Sequence, residues 1–154
     1  MESRQIDKIL KRNPITAPFY LGCFASDQLL QFSPSKYPHS MVVNFDPSNF
    51  KGSHWVAIFS MSPHDVDYYD SLGLWPPLNS NITKYLSKFS RIHFNTYALQ
   101  GEYSKSCGQH AIFFLFARSK GKSFEQILHF LTSIRGGSVD HFVNRFVDNE
   151  IFAK

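Results

Sequence analysis

Two cysteines, Cys23 and Cys107, and seven histidines are the residues of this 154-residue chain best suited to nucleophilic chemistry. A cysteine attacks as the thiolate, and an ordinary thiol pKa of about 8.5 leaves little of that form at neutral pH. A neighbouring imidazolium or the positive end of a helix lowers it. Cys107 stands just ahead of the run Ala111 to Ala117, seven consecutive apolar residues, with only Gly108 beside it to hinder approach. His54 opens the segment His-Trp-Val-Ala-Ile-Phe-Ser, where a strand terminus projects into a cleft. Asp70 closes the next strand segment, Val-Asp-Tyr-Tyr-Asp. If these two strands are neighbours, the carboxylate reaches the imidazole and fixes its tautomer. Gln100 precedes the nucleophile loop, and its side-chain NH2 can donate to a developing oxyanion, worth ~3 kcal/mol of transition-state stabilisation.

Each residue alone has a plainer reading. A cysteine at a helix start is commonly a small buried hydrophobe. His54 also suits a satisfied core position, Asp70 a turn before Ser71, and Gln100 an ordinary loop. Cys107-Gly108-Gln109-His110 has a Cys-x-x-His spacing, but no second cysteine pair completes a zinc site, so no metal is expected.

The elements that must position these groups are legible from periodicity. Ile6, Ile9 and Leu10 predict an amphipathic helix over residues 2–12, stopped before Pro14. Residues 41–45 predict a strand, and 54–60, apolar on both faces after His54, a central strand covered on both sides. Residues 66–70 predict a third strand and 92–98 another, with a helix starting at Pro76-Pro77 and carrying Ile82, Tyr85, Leu86 and Phe89 between them. A helix apolar all round, hence buried, starts at Cys107. Two more cover 123–134 and 139–149, separated by Gly136-Gly137. The order predicts an α+β fold, a single domain over residues 1–154, with a central sheet against the buried helix that starts at the nucleophile.

Composition narrows the class. Hydrophobic residues make up 43% and aromatic residues 16%, enough for a bulky core, which excludes a disordered chain. Two cysteines make no disulfide framework and suit a reducing compartment. The charged N-terminus lacks a signal-peptide run, and the longest apolar stretch is too short to span a bilayer, so the expected locations are virion, host nucleus or cytoplasm, not secreted or membrane-bound. Asn81-Ile82-Thr83 then reads as a chance glycosylation sequon. The net charge of +4, with basic residues at Lys8, Lys11 and Arg12 and at Arg118, Lys120 and Lys122, is compatible with docking on DNA.

The joint pattern resembles the adenovirus protease (adenain) family of papain-like cysteine peptidases. Gly52-Ser53-His54-Trp55-Val56-Ala57 is similar to that family's Gly-x-His-Trp-x-Ala segment, and Asp70-Ser71-Leu72-Gly73 to its acid-x-x-Gly segment. Gln100 lies seven positions before Cys107, and Cys107-Gly108 heads an apolar helix. Pro18 to Phe24 resembles the family's opening motif, so the match runs in order over roughly residues 15 to 120. SUMO and ubiquitin-like protein proteases share the same His-Trp, Asp and Gln...Cys-Gly logic.

The resemblance implies a Cys107-His54-Asp70 triad with Gln100 in the oxyanion hole, and Gly52, Ser53 and Trp55 on the substrate side. It implies a monomeric endopeptidase that cuts viral-type precursor proteins after Gly-Gly or Gly-x, with a deubiquitinase or SUMO-type isopeptidase as the alternative. Where adenain more often has a glutamate, this chain has Asp70, and no cysteine near Phe89 matches the one that captures adenain's activating peptide. No cofactor is required by the sequence; DNA or an activating peptide is compatible with it. The short form resembles that of Maverick/Polinton elements or small adeno-like viruses. Ile134-Arg135-Gly136-Gly137-Ser138 fits the family's cleavage pattern and equally a helix end and turn. An acetyltransferase effector and a non-catalytic DNA-associated module complete the alternatives.

Overall fold

Residues 1–46, 48, 54–135 and 138–152 are described by the structure, a computed structural model. The chain runs α1 (Ser3–Arg12), β1 (Tyr20–Ala25), a short 3-10 helix (Ser26–Gln31), β2 (His39–Asn44), β3 (Trp55–Ser60), β4 (Asp65–Tyr69), α2 (Asn81–Leu86), β5 (Arg91–Phe94), α3 (Cys107–Ser119), α4 (Phe124–Thr132) and α5 (Val139–Phe152). Five strands form one mixed sheet in chain order: β1 and β2 parallel, β2 to β4 antiparallel, β4 and β5 parallel.

The sheet is covered on both faces, and side-chain alternation sorts its residues between two cores. Val42, Ala57, Phe59 and Tyr69 face α1, α3, α4 and α5. Met41, Val43, Val56, Ile58, Val66 and Tyr68 face the 3-10 helix and α2. The apolar run after Cys107 is buried because α3 lies between β3 and the outer helices, with Phe114 stacked on Tyr69 at 4.7 Å and 3°. At its far end Arg118 donates to Asp67 of β4 and lies 4.7 Å over the Phe59 ring, which fixes the helix against the sheet.

Three expectations need correction, and one strand has no counterpart among them. β1 was not predicted from periodicity: its register shifts between Tyr20 and Gly22, and Gly22 has φ +151°, so the two-residue period is broken. The last strand stops at Phe94 rather than running to residue 98, because Asn95 turns its amide onto the backbone of Asp70. α2 begins at Asn81 rather than at the proline pair. Asn79 takes a left-handed φ of 64° and Ser80 caps the helix by accepting the Thr83 N–H. Arg118, counted with the basic residues that suit DNA, lies in the inward ion pair with Asp67, whereas Lys120 and Lys122 are exposed.

Candidate active site

His54 immediately precedes β3 and Asp70 immediately follows β4, so the antiparallel pairing of the two strands sets them side by side. His54 Nε2 lies 2.6 Å from Asp70 Oδ1. That oxygen also accepts the Leu72 N–H at 2.9 Å, and the carboxylate is wholly buried. Asn95 holds the Asp70 backbone from both sides, accepting its N–H and donating to its carbonyl. Phe45 packs edge-on against the imidazole at 5.2 Å and donates its N–H to the His54 carbonyl. With Nε2 engaged by Asp70, Nδ1 is the ring nitrogen left for the thiol.

Cys107 is the first residue of α3, half-buried. Burial pushes its thiol up, but hydrogen bonding to His54, the Trp55 backbone N–H, the imidazolium charge and the Gly108 N–H together bring its pKa below the ordinary value. Burial acts on His54 in the opposite sense, lowering its pKa. Hydrogen bonds and charge from Asp70 and Cys107 overcome this and raise it to about 9. The two shifts favour a thiolate–imidazolium pair around neutral pH.

Gln100 is held by the turn that carries Asp70. Its N–H donates to the Ser71 carbonyl at 2.9 Å, and its side-chain carbonyl accepts the Ser71 hydroxyl. Its Nε2 donates one hydrogen to the Ser104 carbonyl at 2.7 Å, and an amide nitrogen carries two. Gly73 makes this turn compact: at φ +70° it approaches the Tyr97 backbone so closely that a Cβ would collide with the Tyr97 carbonyl group.

His54, Cys107, Gln100, Trp55 and Leu72 line one cleft of about 380 Å³, together with Met1, Glu102, Ser104 and Lys105. Thus His54, Asp70, Cys107, Gln100 and Trp55 come together, while Gly52 and Ser53 lie outside the described residues, as do Gly136 and Gly137. The residues missed from sequence are Met1, Ser71 and Asn95. Met1 accepts the Trp55 indole N–H at 3.0 Å, and its side chain packs so close to α3 that a Cβ on Gly108 would meet it at 3.2 Å. Gly108 therefore admits the close approach of Met1. The Cys-x-x-His spacing has another use: both ring nitrogens of His110 are engaged by Tyr69 and Asp140.

No protein-family model and no curated protein sequence matches the chain. Among solved structures it is similar to the ASFV pS273R protease, at 19% identity over 93% of this chain and 66% of that one, with a TM-score of 0.54. This chain thus spans slightly less than two thirds of that protein's length. It is also similar to the central domain of the uncharacterized Lpg1148 protein from Legionella pneumophila, at 12% identity over 99% and 97% of the two chains and a TM-score of 0.53. The C-terminal ULP1 protease domain, solved with SMT3, the yeast ortholog of SUMO, matches at 13% identity over 93% and 76%, with a TM-score of 0.48. The first two of these likenesses define the fold. It is α+β and of the papain-like cysteine protease type, a central mixed sheet packed against a buried helix that starts at Cys107.

Proposed function

We propose that this chain is a cysteine endopeptidase acting through Cys107, His54 and Asp70. The observation that carries the reading is the buried His54–Asp70 contact of 2.6 Å, joined to a half-buried thiol of lowered pKa in one cleft with Gln100. The Cys107 sulfur attacks the scissile carbonyl carbon, and the carbonyl π electrons move to oxygen. The free hydrogen of Gln100 Nε2 and the Cys107 N–H at the head of α3 donate to that oxyanion. Collapse of the tetrahedral adduct breaks the C–N bond and leaves a thioester, while His54 gives its proton to the departing amine. Water, deprotonated by His54, then hydrolyses the thioester and restores the thiolate–imidazolium pair. Asp70 keeps Nε2 engaged throughout, so Nδ1 always faces the sulfur.

The substrates we assign are precursor proteins of viral type, cut after Gly-Gly or Gly-x. Trp55 and Met1 line the same cleft as Cys107 and are joined by the indole N–H, a setting that suits residues without side chains. Exposed Lys8, Lys11, Arg12, Lys120 and Lys122 supply positive charge for DNA as an activator. The test is hydrolysis of a fluorogenic Leu-x-Gly-Gly peptide by wild type and Cys107→Ala, each with and without DNA. Turnover that vanishes in the variant supports the peptidase, and stimulation by DNA the viral role. Turnover that survives Cys107→Ala overturns the assignment. A ubiquitin vinyl-sulfone probe reacting with Cys107, while the peptide is left uncut, would replace endopeptidase with isopeptidase.

A further inference from the structure

A second imidazole–carboxylate pair lies behind the cleft. His110 sits one turn after Cys107 on α3 with its side chain fully buried. The Tyr69 hydroxyl lies 3.0 Å from Nδ1, and Nε2 lies 2.8 Å from Asp140 Oδ1. Burial lowers the His110 pKa more than Asp140 raises it, so the ring is neutral: Tyr69 donates to Nδ1, and Nε2–H donates to Asp140. The other oxygen of Asp140, in the first turn of α5, accepts the Gly101 N–H at 2.8 Å. A Cβ on Gly101 would lie 3.0 Å from that oxygen, so the carboxylate rests directly on the glycine. Each attachment adjoins a residue of the site: Tyr69 precedes Asp70, His110 follows Cys107 by three, and Gly101 follows Gln100.

We propose that Asp140 is a positioning residue for the oxyanion hole, tying the Gln100–Gly101 peptide to the nucleophile helix through His110. Its two oxygens join the loop carrying Gln100 to α3, whose first N–H is the other oxyanion donor. Ser71 and Ser104 hold the Gln100 side chain and its own N–H. Neither sets the plane of the following peptide; the Gly101 N–H does, and its acceptor is Asp140. The acceptor is a carboxylate, so this hydrogen bond is charge-assisted and holds the peptide more firmly than water would. Without the carboxylate the exposed Gly101 N–H turns to water, and the Gln100–Gly101 peptide is no longer held in one orientation. Small displacements of this kind weaken transition-state contacts far more than substrate binding. Asp140 touches neither substrate nor sulfur, and Cys107 keeps its own thiolate stabilisers.

The inference rests on Gln100 acting as an oxyanion donor. Its test compares Asp140→Ala and Asp140→Asn with wild type in peptide hydrolysis and in the iodoacetamide alkylation rate of Cys107, read by intact mass. Asp140→Ala is expected to lower kcat by about 10- to 100-fold with KM and alkylation rate unchanged. Asp140→Asn, which keeps one acceptor, should fall between. Gly101→Ala pushes the same contact apart from the other side without touching α5 and should give the same split if Asp140→Ala fails to fold. Unchanged kcat in Asp140→Ala, or in Gly101→Ala when it stands in, overturns the inference. So does a parallel loss of kcat and alkylation, which marks general loosening of the site. A wild type that alkylates rapidly yet cleaves no peptide is a distinct result, removing the peptidase reading and this inference with it.

Discussion

Cys23 and Cys107 are both half-buried thiols at the edge of the core that faces α3, and burial is the largest influence on each, pushing both pKa values up. They nevertheless end on opposite sides of the ordinary value. Cys23 meets the Tyr20 hydroxyl, which lowers its pKa, but also the negative charge of Asp7, and it is pushed up to about 12. Cys107 meets an imidazolium and the backbone N–H groups of Trp55 and Gly108, and its pKa falls. The difference teaches that a half-buried thiol beside a carboxylate is held protonated. Activation requires a charge partner that is itself held in place, and only the Cys107 region has a buried carboxylate behind its histidine.

The comparison can be broken most severely at that carboxylate. Asp70→Asn keeps the shape but removes the charge and lets either tautomer of His54 face the sulfur. Activity on the peptide should fall by about 10²- to 10⁴-fold. The pH profile should shift as well. His54 has a pKa raised to about 9, so the imidazolium is present below that value and lost as pH rises through it, giving wild type an alkaline limb there. Because Asp70 is among the influences that raise it, the limb should move to lower pH in Asp70→Asn. A limb that stays in place would show that Asp70 does not hold the imidazolium.

A smaller effect separates oxyanion binding from thiol activation. Gln100→Ala should lower kcat by about 10²- to 10³-fold while leaving Cys107 alkylation intact, because Gln100 is not among the groups that shift the thiol. Loss of alkylation as well would mean that Gln100 holds the site together. The smallest change sharpens the other half of the comparison. Asp7→Asn removes a carboxylate that raises the Cys23 pKa, so alkylation of Cys23 near pH 10 should quicken, with Cys107 still the faster thiol at pH 7. An unchanged Cys23 would assign its inertness to burial alone.

What was legible in the sequence was whatever repeats along it. The two-faced character of β3 followed from its unbroken apolar run and the burial of α3 from seven successive apolar residues, while the candidate triad rested on the family resemblance of the residues at the ends of those elements. The groups that tune the site were illegible for physical reasons. The Trp55 and Gly108 N–H donors that face the sulfur are backbone atoms common to every non-proline residue, so no sequence pattern marks them. Asn95 and Ser71 act across 25 and 29 positions, on Asp70 and Gln100 respectively, distances that only folding closes. Met1 reaches the cleft because α1 packs beside α3, a tertiary placement that its own amphipathic pattern does not encode.

The most direct test of the account is the rate of iodoacetamide alkylation at each cysteine as a function of pH, read by peptide mass in the folded wild-type chain. The account predicts that Cys107 is modified rapidly at pH 7 and still reacts at pH values where an ordinary thiol is silent, while Cys23 stays unmodified until strongly alkaline pH. A Cys107 rate that rises only near pH 8.5, or equal labelling of the two thiols at pH 7, would contradict it.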